Sequence, residues 1–243
     1  MAPYGNNTNW QWEMAIVRVA KSLVFVIQSV TETRRETPSL TPVSSVSKQR
    51  GITKANNMTP AEREFALHHL TESREGLLRI AQGLSREQWH YCPAPGRWTV
   101  AECVEHIVTV EARVLDRIQK SLENGPDPSR RSALEGQDDT LVANTVGRVV
   151  RFQAPEILVP TGRWPHEQLL PEFEAARGLT RDFAVGTQAD LRRHFFKHPI
   201  FGDLDLYQWL LLIAAHCDRH RVQSEEVMSS PAFPRAQQAN ANA

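Results

Sequence analysis

The sequence has little of what would place it outside the cell or in a membrane. Three cysteines in 243 residues, Cys92, Cys103 and Cys217, are an odd number and too few for a disulfide framework. Two of them fall inside helical patterns, which fits a reducing compartment. No apolar run approaches the ~18–20 residues needed to span a bilayer. The nearest, residues 23–27, follows Arg18 and Lys21 but is short and lacks a small-residue cleavage site behind it. Neither sign of charge is in excess, because 28 Lys and Arg balance 28 Asp and Glu. No net field therefore draws the chain to nucleic acid or to an anionic membrane surface. The expectation is a soluble, cytoplasmic protein acting on a small molecule, with no nucleic-acid or membrane partner. At 41% hydrophobic residues the chain is long enough for one well-buried core.

The first 57 residues read differently from the rest. A short helix over about 12–30 precedes a Ser-, Thr- and Pro-rich stretch, 31–46, that cannot bury enough apolar surface to order itself. A largely disordered extension over 1–57 is expected. Met58 then precedes Thr59, Pro60 and Glu62, an N-cap, a first-turn proline and the third-position acid of a capping box. Folding is expected to begin here, with Met58 as a candidate initiator. The domain should run over 58–228, followed by a disordered tail over 229–243.

Four long helices are expected within that domain. The first covers 60–82 and ends at Gly83, with Leu70, Leu77 and Leu78 inward; His68 and His69 on it belong to the surface or rim. A short helix capped by Ser85 carries Trp89. The second long helix covers 100–122, capped by Thr99 and Glu102, with Val100, Cys103, Ile107, Val110, Val114 and Ile118 inward. The third covers 165–183, with Leu169 and Phe173 inward. The fourth covers 206–227, capped by Asp205 and Gln208, its stripe running through Leu206, Trp209, Leu210, Ile213, Cys217 and His220. The crossover over 125–163 is too long for a bare connection and should form a lid or site wall, with Val146–Phe152 and Ile157–Val159 as short strands or extended chain. No clear sheet is expected. The predicted fold is all-α, a four-helix bundle with a long connection between its second and third helices.

Histidines carry the chemistry. His216 and His220 lie one turn apart on the fourth helix and continue its apolar stripe, so both imidazoles point into the core. His106 shares the inward face of the second helix. Three neutral imidazoles suit zinc, nickel or iron, and they leave a coordination position for water or substrate. Cys103 is a candidate fourth ligand, whereas Cys217 reads as a buried inert thiol. His194 and His198 form a rival four-spaced pair, weakened by Pro199, which disfavours helical geometry at His198. Glu102, one turn before His106, either only caps its helix or also orients a ligand or moves a proton. Gln223, three residues after His220, is placed to hold an imidazole, and Asp218 should face out.

These motifs resemble a known family. Arg97-Trp98-Thr99-Val100-Ala101-Glu102-Cys103-Val104-Glu105-His106-Ile107 is similar to the Trp-Ser-x-x-Glu-x-x-x-His-Ile element of DinB-like proteins. His198-Pro199-Ile200-Phe201-Gly202, and later His216-Cys217-Asp218-Arg219-His220-Arg221-Val222-Gln223, resemble the family's closing His-Pro-x-x-Gly and His-x-x-x-His-x-x-Gln elements. The likeness spans about 58–227. It implies a four-helix bundle whose metal histidines are His106, His216 and His220, with zinc or nickel as the usual ion. It departs at the 57 leading residues and at Cys217. Relatives include thiol-dependent S-transferases, an isomerase that uses a low-molecular-weight thiol, and many proteins described only as metal-dependent hydrolases.

Two functions follow as expectations. One is an enzyme in which a divalent metal activates water or a small thiol for hydrolysis or S-transfer, with Glu102 and Gln223 in supporting roles. The other is a non-catalytic bundle that binds metal for stability or forms a homodimer through a helix face. Nothing in the charge balance supports a DNA-repair role.

Overall fold

Each long helix but one begins on a reciprocal capping box, in which a side chain accepts from the third backbone amide and the third side chain returns the favour. In a computed structural model, which describes residues 58–147 and 153–235, Thr59 and Glu62 open α1 (Pro60–Ala81). Ser85 and Gln88 open the short α2 (Arg86–His90), and Thr99 and Glu102 open α3 (Val100–Ser121). Asp205 and Gln208 open α6 (Leu206–Met228). The exception is α5 (His166–Gly186), which starts after Pro165 with no side-chain cap. The expected extension over 1–57 lies outside the described residues.

α6 packs on α1 and α3, and α5 packs on the same two helices from the other side, which closes a four-helix bundle. A third helix packed on it explains the composition of α6. The helix α4 (Asp138–Val146), inside the crossover, also lies against it, so ten consecutive residues from Leu206 to Ala215 are buried. A helix covered all round must be apolar all round. α1 comes close enough to α6 that a Cβ on Gly76 would sit 2.9 Å from Arg221 Cδ. No helix among the described residues is long and apolar enough to cross a membrane.

Several local expectations need correction. The crossover holds α4, whose two buried residues, Leu141 and Thr145, are too short a stripe to announce it. Ile157–Val159 is not a strand. Pro155 and Pro160 bracket a 3-10 turn, Glu156–Leu158, and Val146 ends α4, while 148–152 lie outside the described residues. A small sheet does exist. β1 (Phe195–His198) pairs antiparallel with β2 (Gly202–Asp205), in the register Phe196 to Leu204 and His198 to Gly202. The loop closes on Gly202 at φ +76°, a conformation only glycine adopts cheaply. The tail expected to be free from Ser229 is docked in its described part. Tyr91 Oη and Ser230 Oγ hydrogen-bond at 2.8 Å, and Phe233 meets the Tyr91 ring edge-on.

Polar residues also build the core. Val110 and Val114 are only half-buried, because Glu111 takes the inward place between them. Its carboxylate accepts two bonds from Arg177 of α5, at 2.8 and 2.9 Å. Arg177 also donates from Nη1 to the Leu70 carbonyl and Ser73 Oγ of α1 and is 0% exposed. At the bundle's other polar knot, Arg192 donates to Glu62, Asp138 and Asp205, tying the starts of α1, α4 and α6 while lying 4.0 Å above the Tyr207 ring. Burial pushes the Asp205 carboxyl up to about 6 against the opposing pull of Arg192.

Arg177→Met strands an unpaired carboxylate in the core and is expected to cost about 3–5 kcal/mol. Arg177→Met combined with Glu111→Leu removes both charges and is expected to recover most of that loss. Urea denaturation of the wild type and the two variants reads the difference.

Candidate metal centre

The apolar packing of α3 on α6 determines which side chains meet between them. Val104 and Ile107 of α3 share one buried cluster with Cys217 of α6, so the next inward residue of α3, His106, comes opposite His216. His216 and His220 follow from their four-residue spacing on α6. His106 Nε2 and His220 Nε2 each lie 3.2 Å from His216 Nε2, and all three nitrogens fall within 4.8 Å of one another. His106 and His220 are buried, and His216 is half-buried. Trp98, just ahead of the Thr99 cap, covers one side, its ring 4.9 Å from His106 and 5.8 Å from His220.

Proton accounting shows what such a cluster requires. His106 Nδ1 lies 2.8 Å from the Leu158 carbonyl oxygen, which can only accept, so that nitrogen carries the proton and Nε2 presents a lone pair. His220 Nδ1 lies 3.1 Å from Gln223 Oε1, with the same consequence. Two lone pairs therefore face His216 Nε2, which has at most one proton to give. One of the two 3.2 Å contacts must then set lone pair against lone pair. A cation at the centre of the trio resolves this. Four tetrahedral ligands at 2.0–2.1 Å place neighbouring nitrogens about 3.3 Å apart, close to the spacing found here. The three residues fit a divalent metal.

The electrostatics favour the neutral, ligating form. Burial lowers the His106 pKa, only partly opposed by the Leu158 hydrogen bond. Burial first, and then the neighbouring His220, His106 and Arg219, hold His216 well below the ordinary imidazole range.

Residues 69–224 match the DinB superfamily, well over half of the chain. The chain belongs to that superfamily. It is 25% identical over 149 residues to the uncharacterized protein YuaE of Bacillus subtilis (strain 168), covering 60% of this chain and 86% of the relative. No solved structure gives a significant match.

Within this DinB fold the remaining candidates separate cleanly. Gln223 reaches His220, as its spacing suggests. Glu102 accepts from the Thr99 amide at 2.7 Å and closes the capping box. Asp218 is half-buried rather than facing out, paired with Arg221 at 2.9 Å where that side chain crosses Gly76 of α1. Cys103 is buried but stands outside the trio, and the Cys217 thiol, pushed up to about 12 by burial, donates to the Ser73 carbonyl. The rival histidines belong to the hairpin. His194 Nδ1 donates to the Ser121 carbonyl, while His198 Nδ1 accepts the Ile200 and Phe201 amides, the loop's own hydrogen bonds. Two contributors to the site carry no sequence signal at all. The Leu158 carbonyl is backbone, and nothing in the sequence links Glu105 to the crossover amides it binds.

The depressed His106 and His216 pKa values set a pH window. Below about 6.5 the unfolded chain takes up protons that the folded metal-free protein refuses, so stability falls with acidification by up to about 1.4 kcal/mol per pH unit for each histidine. Asp205, raised instead, acts in the opposite sense. The urea stability of wild type relative to His216→Asn, measured without metal from pH 7.5 to 5, is expected to fall as the pH falls.

Proposed function

We propose that this chain is a cytoplasmic, divalent-metal-dependent enzyme acting on a small molecule, with His106, His216 and His220 as ligands of zinc or nickel and hydrolysis or S-transfer as its reaction. One observation carries this reading: two imidazole lone pairs, fixed by hydrogen bonds at the opposite ring nitrogens, converge on a third imidazole at ligand spacing. Three nitrogen donors leave a position open, as catalytic rather than structural sites do. A divalent ion held there lowers the pKa of water or of a low-molecular-weight thiol sharing it, which supplies a nucleophile at neutral pH. The protein's own part is positional. Leu158 and Gln223 hold the ring planes and tautomers of His106 and His220. Trp98 shields one side of the trio from water, and Glu102 acts through the cap that fixes the start of α3. All three cysteines are free thiols, which supports the cytoplasmic assignment.

Metal analysis of the purified full-length protein tests the site. The wild type is expected to hold about one equivalent of divalent metal. His216→Ala and His220→Ala are each expected to weaken binding by more than the 10–100-fold that loss of an outer partner costs. Unchanged metal content in both variants would refute the assignment. Screening thiol conjugates, esters and amides then tests the reaction class. Turnover that disappears on chelation and returns with zinc or nickel supports the enzyme, and bound metal without turnover favours a structural ion.

A further inference from the structure

We propose that Glu105 is a positioning residue of this centre: its carboxylate clamps the crossover segment 156–163 onto α3 and so holds the Leu158 carbonyl on the second nitrogen of His106. The inference rests on the metal reading above and adds to it a residue outside the ligand set.

Adjacent residues of α3 make both attachments. Glu105 Oε1 accepts from the Thr161 amide at 2.7 Å and from Thr161 Oγ1 at 3.3 Å. Its Oε2 accepts from the amides of Gly162 and Arg163 at 2.9 and 3.2 Å. Three consecutive amides converge on one carboxylate because Gly162 turns the chain at φ +71°. Glu105 itself is 4% exposed, so the accepting carboxylate is sheltered even though the donors lie on exposed residues, and charge-assisted bonds to it count for more than ordinary surface contacts. Only residues 159 and 160 separate this clamp from Leu158. Leu158 itself sits in the short 3-10 turn between Pro155 and Val159, closed by its own amide and that of Val159 bonding to the Pro155 and Glu156 carbonyls, which keeps its backbone stiff.

Little else holds the segment down. No residue from 153 to 164 is fully buried, and the two side chains flanking Leu158 face outward, Ile157 at 63% and Val159 at 43% exposed. A segment with so little apolar burial stays where its hydrogen bonds put it. The carboxylate bonds lie on one side of Leu158, so releasing them frees the carbonyl that fixes the His106 tautomer. The His220 partner Gln223 lies on the same helix as His220 and makes no use of the Glu105 clamp. The two ligands are thus oriented independently, which provides an internal control.

The test uses the full-length protein, zinc affinity by competition with a chelator, and ring-proton exchange by nitrogen-15 NMR on the metal-free form. Glu105→Gln is expected to weaken zinc binding by about 10–100-fold. The same variant should let the His106 Nδ1 proton exchange rapidly while the His220 Nδ1 proton and the far-ultraviolet helix signal stay as in wild type. Gly162→Ala strains the clamp without touching α3 and is expected to shift both readouts in the same direction; it decides the matter if Glu105→Gln does not fold. A folded variant with wild-type zinc affinity, or with a protected His106 proton, overturns the proposal. If His216→Ala still abolishes binding in that case, the metal assignment stands and only the clamp fails. If wild type binds no zinc, the metal assignment fails, and the proton-exchange arm alone decides whether Glu105 holds Leu158.

Discussion

Two imidazole lone pairs directed at a third ring nitrogen 3.2 Å away form an arrangement that a folded chain does not adopt without compensation. Each inward lone pair is a consequence of the hydrogen bond on the far side of its ring, so the site extends to those acceptors. The acceptors come from different places. Gln223 is supplied by the same helix three residues on, at no cost in long-range order. Leu158 is supplied from 52 residues away, across a crossover that is itself anchored to α3. One ligand is therefore preset by helix periodicity, and the other by tertiary structure.

Holding α3 at the right height against its neighbours is the task of the polar core. Glu111 lies five residues beyond His106 on α3, and the guanidinium it binds also reaches α1. Four donated bonds with fixed directions tolerate one axial register of these three helices, whereas aliphatic side chains repack with little loss when a helix slides. Arg192 plays the corresponding part at the other polar knot, joining the capping residues of α1 and α6 through one planar group. The apolar residues make the bundle compact, and these two arginines decide how its helices are aligned.

How much of this was legible in the sequence follows from the range of each interaction. Caps are local chemistry, and Thr59-Glu62, Thr99-Glu102 and Asp205-Gln208 announce helix starts that the structure repeats. The His216–His220 spacing and the inward face of His106 are periodic and equally readable. Arg177 was not, because a charged residue on an apolar stripe reads as an interruption until its partner on another helix is known. The hairpin over 195–205 was hidden because four-residue strands leave no measurable alternation, and α4 because its covering comes from α6 rather than from its own composition. The Leu158 carbonyl is the extreme case, since a backbone acceptor carries no residue signature at all.

His198 shows why spacing alone cannot choose ligands. It stands four residues after His194, as His220 does after His216, and it too is a neutral imidazole, half-buried and lowered to about 4 by desolvation. Its Nδ1, however, accepts two backbone amides, and that nitrogen therefore has no proton. The proton must sit on Nε2, which makes the outward nitrogen a donor and removes it from the set of ligands. In His106 and His220 the same nitrogen donates, and the lone pair appears on the opposite edge. The turn that Gly202 closes thus commits His198 to holding the hairpin loop. The choice between ligand and structural histidine is made by whichever partner captures Nδ1, across the ring from the nitrogen that would face a metal.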